Sequence, residues 1–183
     1  LKKGYQVHGI DSMNSYYDVK LKKARLNILN KSKKFSFTKI TLQNDKKLKN
    51  IIKKFKPKIV VHLAAQAGVR YSIHEPRVYL DSNIDGTFNI IEASHRNNVK
   101  HLIMASSSSV YGANRNIPFK EIDKTETQLS IYAATKKANE SMAHAYSNLW
   151  KIPITMLRFF TVYGPWGRPD MALFKFTKGI INR

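Results

Sequence analysis

The sequence contains no cysteine among its 183 residues. A disulfide framework, a thiolate zinc site and a cysteine nucleophile are therefore excluded. No apolar run approaches the ~20 residues that a membrane-spanning helix needs, so we expect no membrane association. The six histidines are scattered without the H-E-x-x-H or H-x-x-E-H spacing, so no metal site is predicted. The serines lack the G-x-S-x-G elbow, which argues against a hydrolase.

Acidic residues are scarce, with 12 Asp and Glu against 32 Lys and Arg and a net charge of +20. Such a charge is typical of proteins that bind a polyanion. The lysines, however, fall on amphipathic helices and loops, with few interleaved aromatics of the kind that stack on bases. A lysine-rich proteome explains the charge more simply, and we predict no nucleic-acid partner. A positive field would also favour an anionic nucleotide substrate.

The two termini lack the signals of a complete chain. No signal peptide begins at Leu1, because no apolar stretch follows the first lysines, and together with the missing cysteines this favours a cytoplasmic protein. The first residues are typical of the end of a helix, and the last ones of a helix interior. We therefore expect a chain truncated at both ends, with one domain spanning residues 1–183.

Strand and helix patterns alternate along the chain. Strands are predicted at residues 5–10, 35–42, 58–63, 100–105 and 153–159, and helices at 19–29, 45–55, 76–97, 130–150 and from 171 onward. The apolar run at 58–63 is typical of a strand that is buried on both faces. This alternation predicts an α/β fold with a doubly wound parallel sheet, whose ligands bind at the carboxyl ends of the strands.

Several candidate binding residues fall just after predicted strands. Asp11 suits a carboxylate that binds the adenosine ribose of NAD, although an ordinary turn aspartate would look the same. The small residues in Leu63-Ala64-Ala65-Gln66 would let a cofactor approach the backbone, although tight helix–strand packing would also select them. The four serines at 106–109 offer hydroxyl donors to a substrate oxygen, or are simply solvated.

Tyr132 and Lys136 lie four residues apart on the predicted helix 130–150. Positions i and i+4 share one helix face, with Cβ atoms roughly 5–6 Å apart. The lysine charge can lower the pKa of the tyrosine, which is otherwise near ~10. Tyr132 could then take a proton from an alcohol while a hydride leaves the same carbon.

Five segments resemble the extended short-chain dehydrogenase/reductases, the NAD-dependent nucleotide-sugar epimerases and dehydratases. The same segments are similar to those of UDP-glucuronate 4-epimerases. They are Asp11 to Asp18 with the following Arg25-Leu26, Ala64 to Ser72, Ala105 to Gly112, Tyr132 to Glu140, and Leu157 to Phe176. The resemblance covers essentially the whole chain and implies a Rossmann-like sheet with NAD as cofactor.

The resemblance implies a role for each candidate residue. Tyr132 is the catalytic base and acid, Lys136 holds the nicotinamide ribose, and Ser107 is the hydroxyl partner, with Ser108 as its substitute. Three further residues are implied on the substrate side: Thr161, Arg168 and the weaker candidate Arg70. Arg168 could hold the glucuronate carboxylate through a charge-assisted pair.

The implied reaction inverts C4 of UDP-glucuronate to give UDP-galacturonate through a 4-keto sugar, with tightly bound NAD. The implied partners are a UDP-sugar and, in the full-length protein, a second copy in a homodimer formed by the helices 76–97 and 130–150. Other readings stay open: another nucleotide-sugar epimerase, a 4,6-dehydratase, a decarboxylase, or a non-catalytic NAD-binding protein of the same fold.

The chain departs from the family pattern in two ways. Ile40-Thr41 stands where the family usually has Gly-Asp, so the aspartate expected near the adenine is missing. The glycine-rich phosphate loop should precede Asp11 by about 20 residues and would fall before Leu1. We therefore expect the 183-residue polypeptide itself to be inactive and the activity to belong to a longer parent.

Overall fold

The computed structural model describes residues 1–182, and along them parallel strands alternate with helices. The strands are β1 Val7–Asp11, β2 Phe35–Lys39, β3 Ile59–His62, β4 His101–Ala105 and β5 Ile154–Leu157. The helices are α1 Val19–Asn30, α2 Asp45–Phe55, α3 Tyr71–His74, α4 Pro76–Tyr79, α5 Gly86–Arg96, α6 Ile131–Trp150 and α7 Ala172–Ile181. The predicted alternation is confirmed, with strand ends displaced by at most three residues.

The chain divides into two compact units. One comprises Leu1–Ile40 together with the segment that begins at Thr161, and the other comprises Thr41–Phe160. In the first unit β1 pairs with β2, and in the second the strand order is β3-β4-β5. Every one of these pairings is parallel, as the βαβ pattern predicts.

The sheet of the second unit has one covered face. Helices α5 and α6 pack against each other and against its strands. Leu102 and Met104 of β4 are buried at 0% and 1% exposure. On β3, by contrast, Ile59 and Val61 are more than half exposed, at 56% and 57%. The prediction that this strand is buried on both faces is therefore wrong, because no described element covers the second face.

A π-helical segment, Leu80–Asp85, interrupts the predicted helix 76–97 between α4 and α5. The wider turn carries Asn83, which is fully buried. Its side chain pairs with the backbone of Gln66 in both directions: Gln66 N donates to Asn83 Oδ1 at 2.8 Å, and Asn83 Nδ2 donates to Gln66 O at 3.0 Å. The π-segment thus fixes the chain that follows β3, as π-bulges often do near functional sites.

Neither a membrane-spanning helix nor a metal-binding cluster occurs between residues 1 and 182. None of the helices there is both long and apolar enough to cross a membrane. No group of three or more His, Asp or Glu side chains in that range is placed to hold a metal ion.

Gly112 closes the short 3₁₀ helix Ser108–Tyr111 that follows β4. Its φ of +55° lies in the region that L side chains rarely adopt, and an added Cβ would lie 1.9 Å from the carbonyl oxygen of Thr127. Because the obstacle is backbone, it cannot rotate away. A glycine is therefore required at this turn, which holds the chain beyond the serines against the segment before α6.

We predict that Gly112→Ala lowers the free energy of unfolding by about 2–4 kcal/mol, the sum of a strained φ and a backbone clash. The measurement is chemical denaturation followed by circular dichroism. Gly179→Ala is the matched control: a Cβ there meets nothing within 4 Å on α7, and this variant should be unchanged or slightly more stable. Equal stability of Gly112→Ala and the unmodified protein would contradict the prediction.

Candidate active site

Helix α6 carries the predicted Tyr132–Lys136 pair in its first two turns. Ser130 caps the helix, since its side chain accepts a hydrogen bond of 3.1 Å from Ala133 N. Lys136 is 4% exposed and its Nζ donates to the carbonyl oxygen of Ala105, the last residue of β4, at 2.7 Å. Burial lowers the pKa of Lys136 to about 8. The lysine thus ties the helix to the strand end that leads into the serines.

The serine segment is more enclosed than an ordinary solvated loop. Ser106 and Ser107 are 3% and 8% exposed, and Ser108 is half-buried. Two backbone bonds of 2.8 Å, from Ser106 N to Leu157 O and from Ser108 N to Phe159 O, continue the pairing of β4 with β5. Ser107 Oγ accepts from Ser109 N at 3.2 Å, which starts the 3₁₀ helix. The hydroxyls are therefore held on a fixed backbone.

Tyr79 supports the ring of Tyr132. The two rings meet edge to face, with centroids 6.1 Å apart and planes at 78°. Tyr79 is fully buried, and its hydroxyl donates to the carbonyl oxygens of Ala67 and Gly68 after β3. This residue was not singled out from the sequence. Its position in a helical apolar pattern gave it only the signal of a core residue.

A buried polar network also escaped the sequence analysis. His62 Nε2 lies 3.0 Å from Thr87 Oγ1, and Asn83 Nδ2 donates to Thr135 Oγ1 at 3.1 Å. Burial, with a smaller effect from the Lys136 charge, lowers the pKa of His62 to about 3, so this imidazole is neutral at physiological pH. The network joins β3, the π-segment, α5 and α6 around Lys136. No sequence motif marks these pairs, because their members are 25 and 52 residues apart.

The predicted cofactor segment Leu63-Ala64-Ala65-Gln66 follows β3 directly. Ala65 is exposed and Ala64 half-buried, whereas Leu63 is 59% exposed and Gln66 only 5%. Gln66 is held by Asn83, which fixes the end of this segment. Arg70, predicted on the substrate side, is exposed just before α3 in the same unit.

Asp11 lies in the other unit, at the end of β1. Its Oδ1 accepts a hydrogen bond of 2.6 Å from Met13 N, and its backbone carbonyl accepts one of 3.1 Å from Ile40 N. The carboxylate thus has the turn-forming contact that an ordinary aspartate would make. Ile40, where the family usually has glycine, is 6% exposed and fills a core position.

Within the first unit, Arg25 connects two of the segments that carry the family resemblance. Its guanidinium donates to Tyr17 OH at 2.7 Å and to the carbonyl oxygens of Trp166 and Gly167. The segment Asp11 to Asp18 and residues 166–167 of the segment Leu157 to Phe176 are therefore joined through Arg25. Arg25 appeared in the sequence only as part of a motif and received no role there.

Two predicted substrate residues, Thr161 and Arg168, belong to the segment Leu157 to Phe176. Thr161 is exposed. Arg168 Nη2 donates to Asp170 Oδ2 at 3.0 Å and contacts Met171 Sδ at 3.3 Å. Tyr16 OH donates to the same Asp170 oxygen at 3.4 Å. Arg168, predicted to hold a substrate carboxylate, thus has an internal acidic partner, but a guanidinium has five N–H donors.

The parallel pairing of the strands and the alternation of strands with helices define a Rossmann-type domain. The chain belongs to the NAD-dependent epimerase/dehydratase family, whose model matches residues 1–183. It is 58% identical over 182 residues to Protein CapI of Staphylococcus aureus, and 49% identical over 182 residues to a probable UDP-glucuronate 4-epimerase of Rhizobium meliloti. These alignments cover 100% of this chain and 54% and 53% of the relatives, so the chain spans about half their length.

The fold also matches a solved structure. The crystal structure of the UDP-glucuronic acid 4-epimerase from Bacillus cereus, in complex with UDP-glucuronic acid and NAD, superposes with a TM-score of 0.91. The match is at 33% identity and covers 98% of this chain and 56% of the other. The predicted Rossmann-like fold and the family resemblance are thereby confirmed.

NAD is the cofactor of this family, and the described residues fit parts of it. The small residues Ala64 and Ala65, half-buried and exposed, lie just after a strand end, where such folds bind nucleotides. The Lys136 ammonium has three donors, and only one is committed to Ala105 O. It could therefore also bond ribose hydroxyls. The role predicted for Asp11 at the adenosine ribose stays a prediction.

The buried ammonium of Lys136 predicts an unusual stability profile. Its folded pKa of about 8 lies below the ordinary 10.5, so the unfolded chain binds more protons between these values and stability rises with pH through that window. Lys136→Met in the NAD-free protein should be more stable at pH 7, by on the order of 1–3 kcal/mol after the lost hydrogen bond is counted. The gain should shrink as pH rises from 8 to 10.5.

Denaturant unfolding at several pH values measures this gain. Lys137→Met, which removes the neighbouring lysine and its 2.6 Å bond to Thr125 Oγ1, is the control and should show no such gain. A Lys136→Met protein that is less stable at pH 7, by an amount independent of pH, would contradict the account.

Proposed function

We propose that the complete protein is an NAD-dependent UDP-glucuronate 4-epimerase, which converts UDP-glucuronate to UDP-galacturonate. The observation that carries the proposal is the buried Lys136, which follows Tyr132 by one helical turn. Its ammonium is bound to the carbonyl of Ala105, the last residue of β4, two residues before Ser107. Burial of an ammonium is costly, and buried charged groups with shifted pKa values cluster at functional sites. A lysine beside a phenol at a serine-bearing strand end suits reversible oxidation of an alcohol.

In this mechanism NAD, when bound, supplies the hydride acceptor and then the hydride donor at C4 of the sugar. Tyr132 takes the proton of the C4 hydroxyl, and Lys136, one helical turn later on α6, would hold the nicotinamide ribose. Ser107 donates to the C4 oxygen and orients it, with Ser108 as its neighbour on the same fixed backbone. Pre-positioned donors of this kind need no reorganisation during the reaction.

Inversion requires that the 4-keto sugar turn its other face before the hydride returns. Tyr132 then gives its proton back to the C4 oxygen, so the enzyme ends each turnover in its starting protonation state. The oxidised sugar is a β-keto acid, which loses CO₂ readily if its carboxylate aligns with the ketone. The site must therefore hold the carboxylate away from that alignment.

Arg168 and Thr161 are the residues that we assign to the carboxylate. A guanidinium binds a carboxylate through strong, directional hydrogen bonds. The assignment is supported by the similarity to proteins named UDP-glucuronate 4-epimerases and to the Bacillus cereus enzyme crystallised with UDP-glucuronic acid. Arg70 is a further candidate for the substrate side, and its exposure leaves it available.

A second candidate function is 4-epimerisation of a UDP-sugar that has no carboxylate. One observation favours it: the guanidinium of Arg168 already has an ionic partner in Asp170, at 3.0 Å. A neutral sugar would leave that pair undisturbed, whereas a uronate must share the arginine with Asp170 or displace it.

The proposal extends to the protein's surroundings. A homodimer through the α5 and α6 helices is supported by exposed aromatic residues on them, Phe88 at 43% and Trp150 at 47%. A cytoplasmic location fits an enzyme that uses NAD and a UDP-sugar. The product, an activated uronic acid, suits polysaccharide biosynthesis.

The direct test is to express the protein with any coding sequence that flanks these 183 residues and to follow UDP-glucuronate by NMR. Appearance of UDP-galacturonate supports the proposal. Turnover of UDP-glucose or UDP-N-acetylglucosamine instead of UDP-glucuronate would establish the second candidate. No turnover of any UDP-sugar by a folded, NAD-bound protein would overturn both.

Tyr132→Phe should lower kcat at least ~10²-fold, because the ring and its contact with Tyr79 remain while the proton-transferring hydroxyl is lost. Affinity for the UDP-sugar, measured by calorimetry, should change little. The matched control is Tyr146→Phe, on the same helix, whose hydroxyl donates to Glu92 at 2.8 Å. Equal activity of the Tyr132→Phe and unmodified proteins would exclude Tyr132 as the acid–base group.

Arg168→Met should weaken binding of UDP-glucuronate about 10–100-fold, the value of one charge-assisted pair, or raise the decarboxylated by-product. Binding of UDP-glucose should stay within about threefold, since it offers no carboxylate. Asp170→Asn is the control: it removes the internal partner but keeps the guanidinium. An unchanged product profile and affinity for UDP-glucuronate in Arg168→Met would remove Arg168 from the carboxylate site.

A further inference from the structure

We propose that Glu140 is a positioning residue of the active site. By binding Ser106 and Arg158 at the same time, it fixes the position of the serine segment 106–109 relative to α6, the helix that carries Tyr132. The inference rests on the proposed function, because it assigns the serines a role in orienting the sugar. It concerns a residue that touches neither substrate nor cofactor in the mechanism above.

Glu140 lies on the same face of α6 as the acid–base pair. Tyr132, Lys136 and Glu140 follow one another at intervals of four residues, which places them in one row along the helix. Lys136 contacts the carbonyl of Ala105, and Glu140 Oε1 accepts a hydrogen bond of 2.6 Å from Ser106 Oγ. Two successive turns of α6 therefore grip two successive residues at the end of β4.

The other side of the carboxylate is held by Arg158, the residue after β5. Arg158 Nε donates to Glu140 Oε1 at 2.9 Å and Nη2 donates to Oε2 at 3.0 Å, a bidentate pair. The two side chains are 20% and 10% exposed. Hydrogen bonds from Arg158 and Ser106 outweigh the opposing effect of burial and lower the pKa of Glu140, so the carboxylate stays charged at neutral pH.

Arg158 is itself fixed. Its Nη1 donates to the carbonyl oxygen of Glu121 at 3.1 Å, and its guanidinium lies 5.0 Å from the ring centroid of Tyr111. Tyr111 stacks on Phe119, with centroids 4.5 Å apart. Glu140 thus stands between a rigid cation and a serine hydroxyl, and a change in its length or charge must move one of them.

This arrangement also separates the serines by function. The hydroxyl of Ser106 donates its hydrogen bond to Glu140, so it cannot also donate to a sugar oxygen. Ser107 and Ser108 follow on a backbone that is anchored on either side of Arg158. Ser106 N donates to Leu157 O, and Ser108 N donates to Phe159 O. Releasing Ser106 from Glu140 would loosen this anchoring by a fraction of an ångström to an ångström, a displacement on the scale that costs ~10²-fold in rate.

The test compares Glu140→Gln, Ser106→Ala and their double variant with the unmodified protein, expressed with its flanking coding sequence and bound NAD. We expect Glu140→Gln to lower kcat about 10–100-fold while KM changes less than about threefold, because geometry rather than binding is disturbed. Ser106→Ala should lower kcat in the same sense, and the double variant should be no worse than Glu140→Gln alone, since both substitutions act through the Ser106–Glu140 contact.

Glu92→Gln is the matched control. Glu92 is also a carboxylate paired with an arginine, Arg96, and with a hydroxyl, Tyr146, but on α5 and α6 away from the serines. It should leave kcat within about twofold. Multiplicative losses in the double variant, or equal losses in Glu140→Gln and Glu92→Gln, would overturn the positioning role in favour of a general stabilising one.

Hydrogen exchange of the Ser108 amide supplies a readout that needs no substrate. Release of the anchoring should speed this exchange about tenfold or more in Glu140→Gln and in Ser106→Ala, but not in Glu92→Gln. If the unmodified protein turns over no UDP-sugar, the proposed function fails while this measurement still decides whether Glu140 anchors the serines. Should Glu140→Gln not fold, Ser106→Ala keeps the ion pair and carries both measurements. Unchanged exchange and kcat in Ser106→Ala would then overturn the inference.

Discussion

The hydrogen bond from the buried Lys136 ammonium to the carbonyl of Ala105 is the contact on which the rest of the candidate site depends. It fixes the register between α6 and the end of β4, the two elements that carry the proposed chemistry. One turn earlier on α6 is Tyr132, and one turn later is Glu140. Because Tyr132, Lys136 and Glu140 share a helix face, a shift of α6 along β4 would displace the phenol and, through Glu140, the serines as well.

Enclosing so many polar groups is costly, and their partnership explains why the unit tolerates it. His62, Thr87, Asn83 and Thr135 bond one another or the backbone, and Glu140 is matched by Arg158. A buried polar group that lacks a partner costs more than the bond itself is worth. The network therefore specifies one arrangement of α5, α6 and the chain after β3.

The sequence predicted the features that depend on local periodicity and spacing. The alternation of strands and helices, the parallel pairing and the row of Tyr132 and Lys136 all follow from intervals of two or four residues. The contacts that involve Asn83, Tyr79 and Arg158 could not be predicted in this way, since their partners are distant in sequence and have no fixed spacing. The exposed face of β3 was missed because an apolar strand gives the same pattern whether or not another element covers it.

The residues proposed for acid–base chemistry, Tyr132 and Lys136, and the arginine proposed to bind the carboxylate, Arg168, belong to different compact units and carry different parts of the proposal. Tyr132 and Lys136 support the reaction type, whereas Arg168 supports the choice of sugar. The pairing of Arg168 with Asp170 makes the choice of sugar the more demanding claim, because a uronate must compete with a carboxylate already in place. A wrong sugar would leave the reaction type intact.

Turnover of UDP-glucuronate in D₂O, followed by NMR, tests the central claim most directly. If Tyr132 removes only the hydroxyl proton and the C4 hydrogen leaves and returns as hydride, UDP-galacturonate will form with protium retained at C4. Deuterium at C4 of the product would mean that this hydrogen exchanges with solvent as a proton. That result would contradict an acid–base role for Tyr132 in a reversible oxidation.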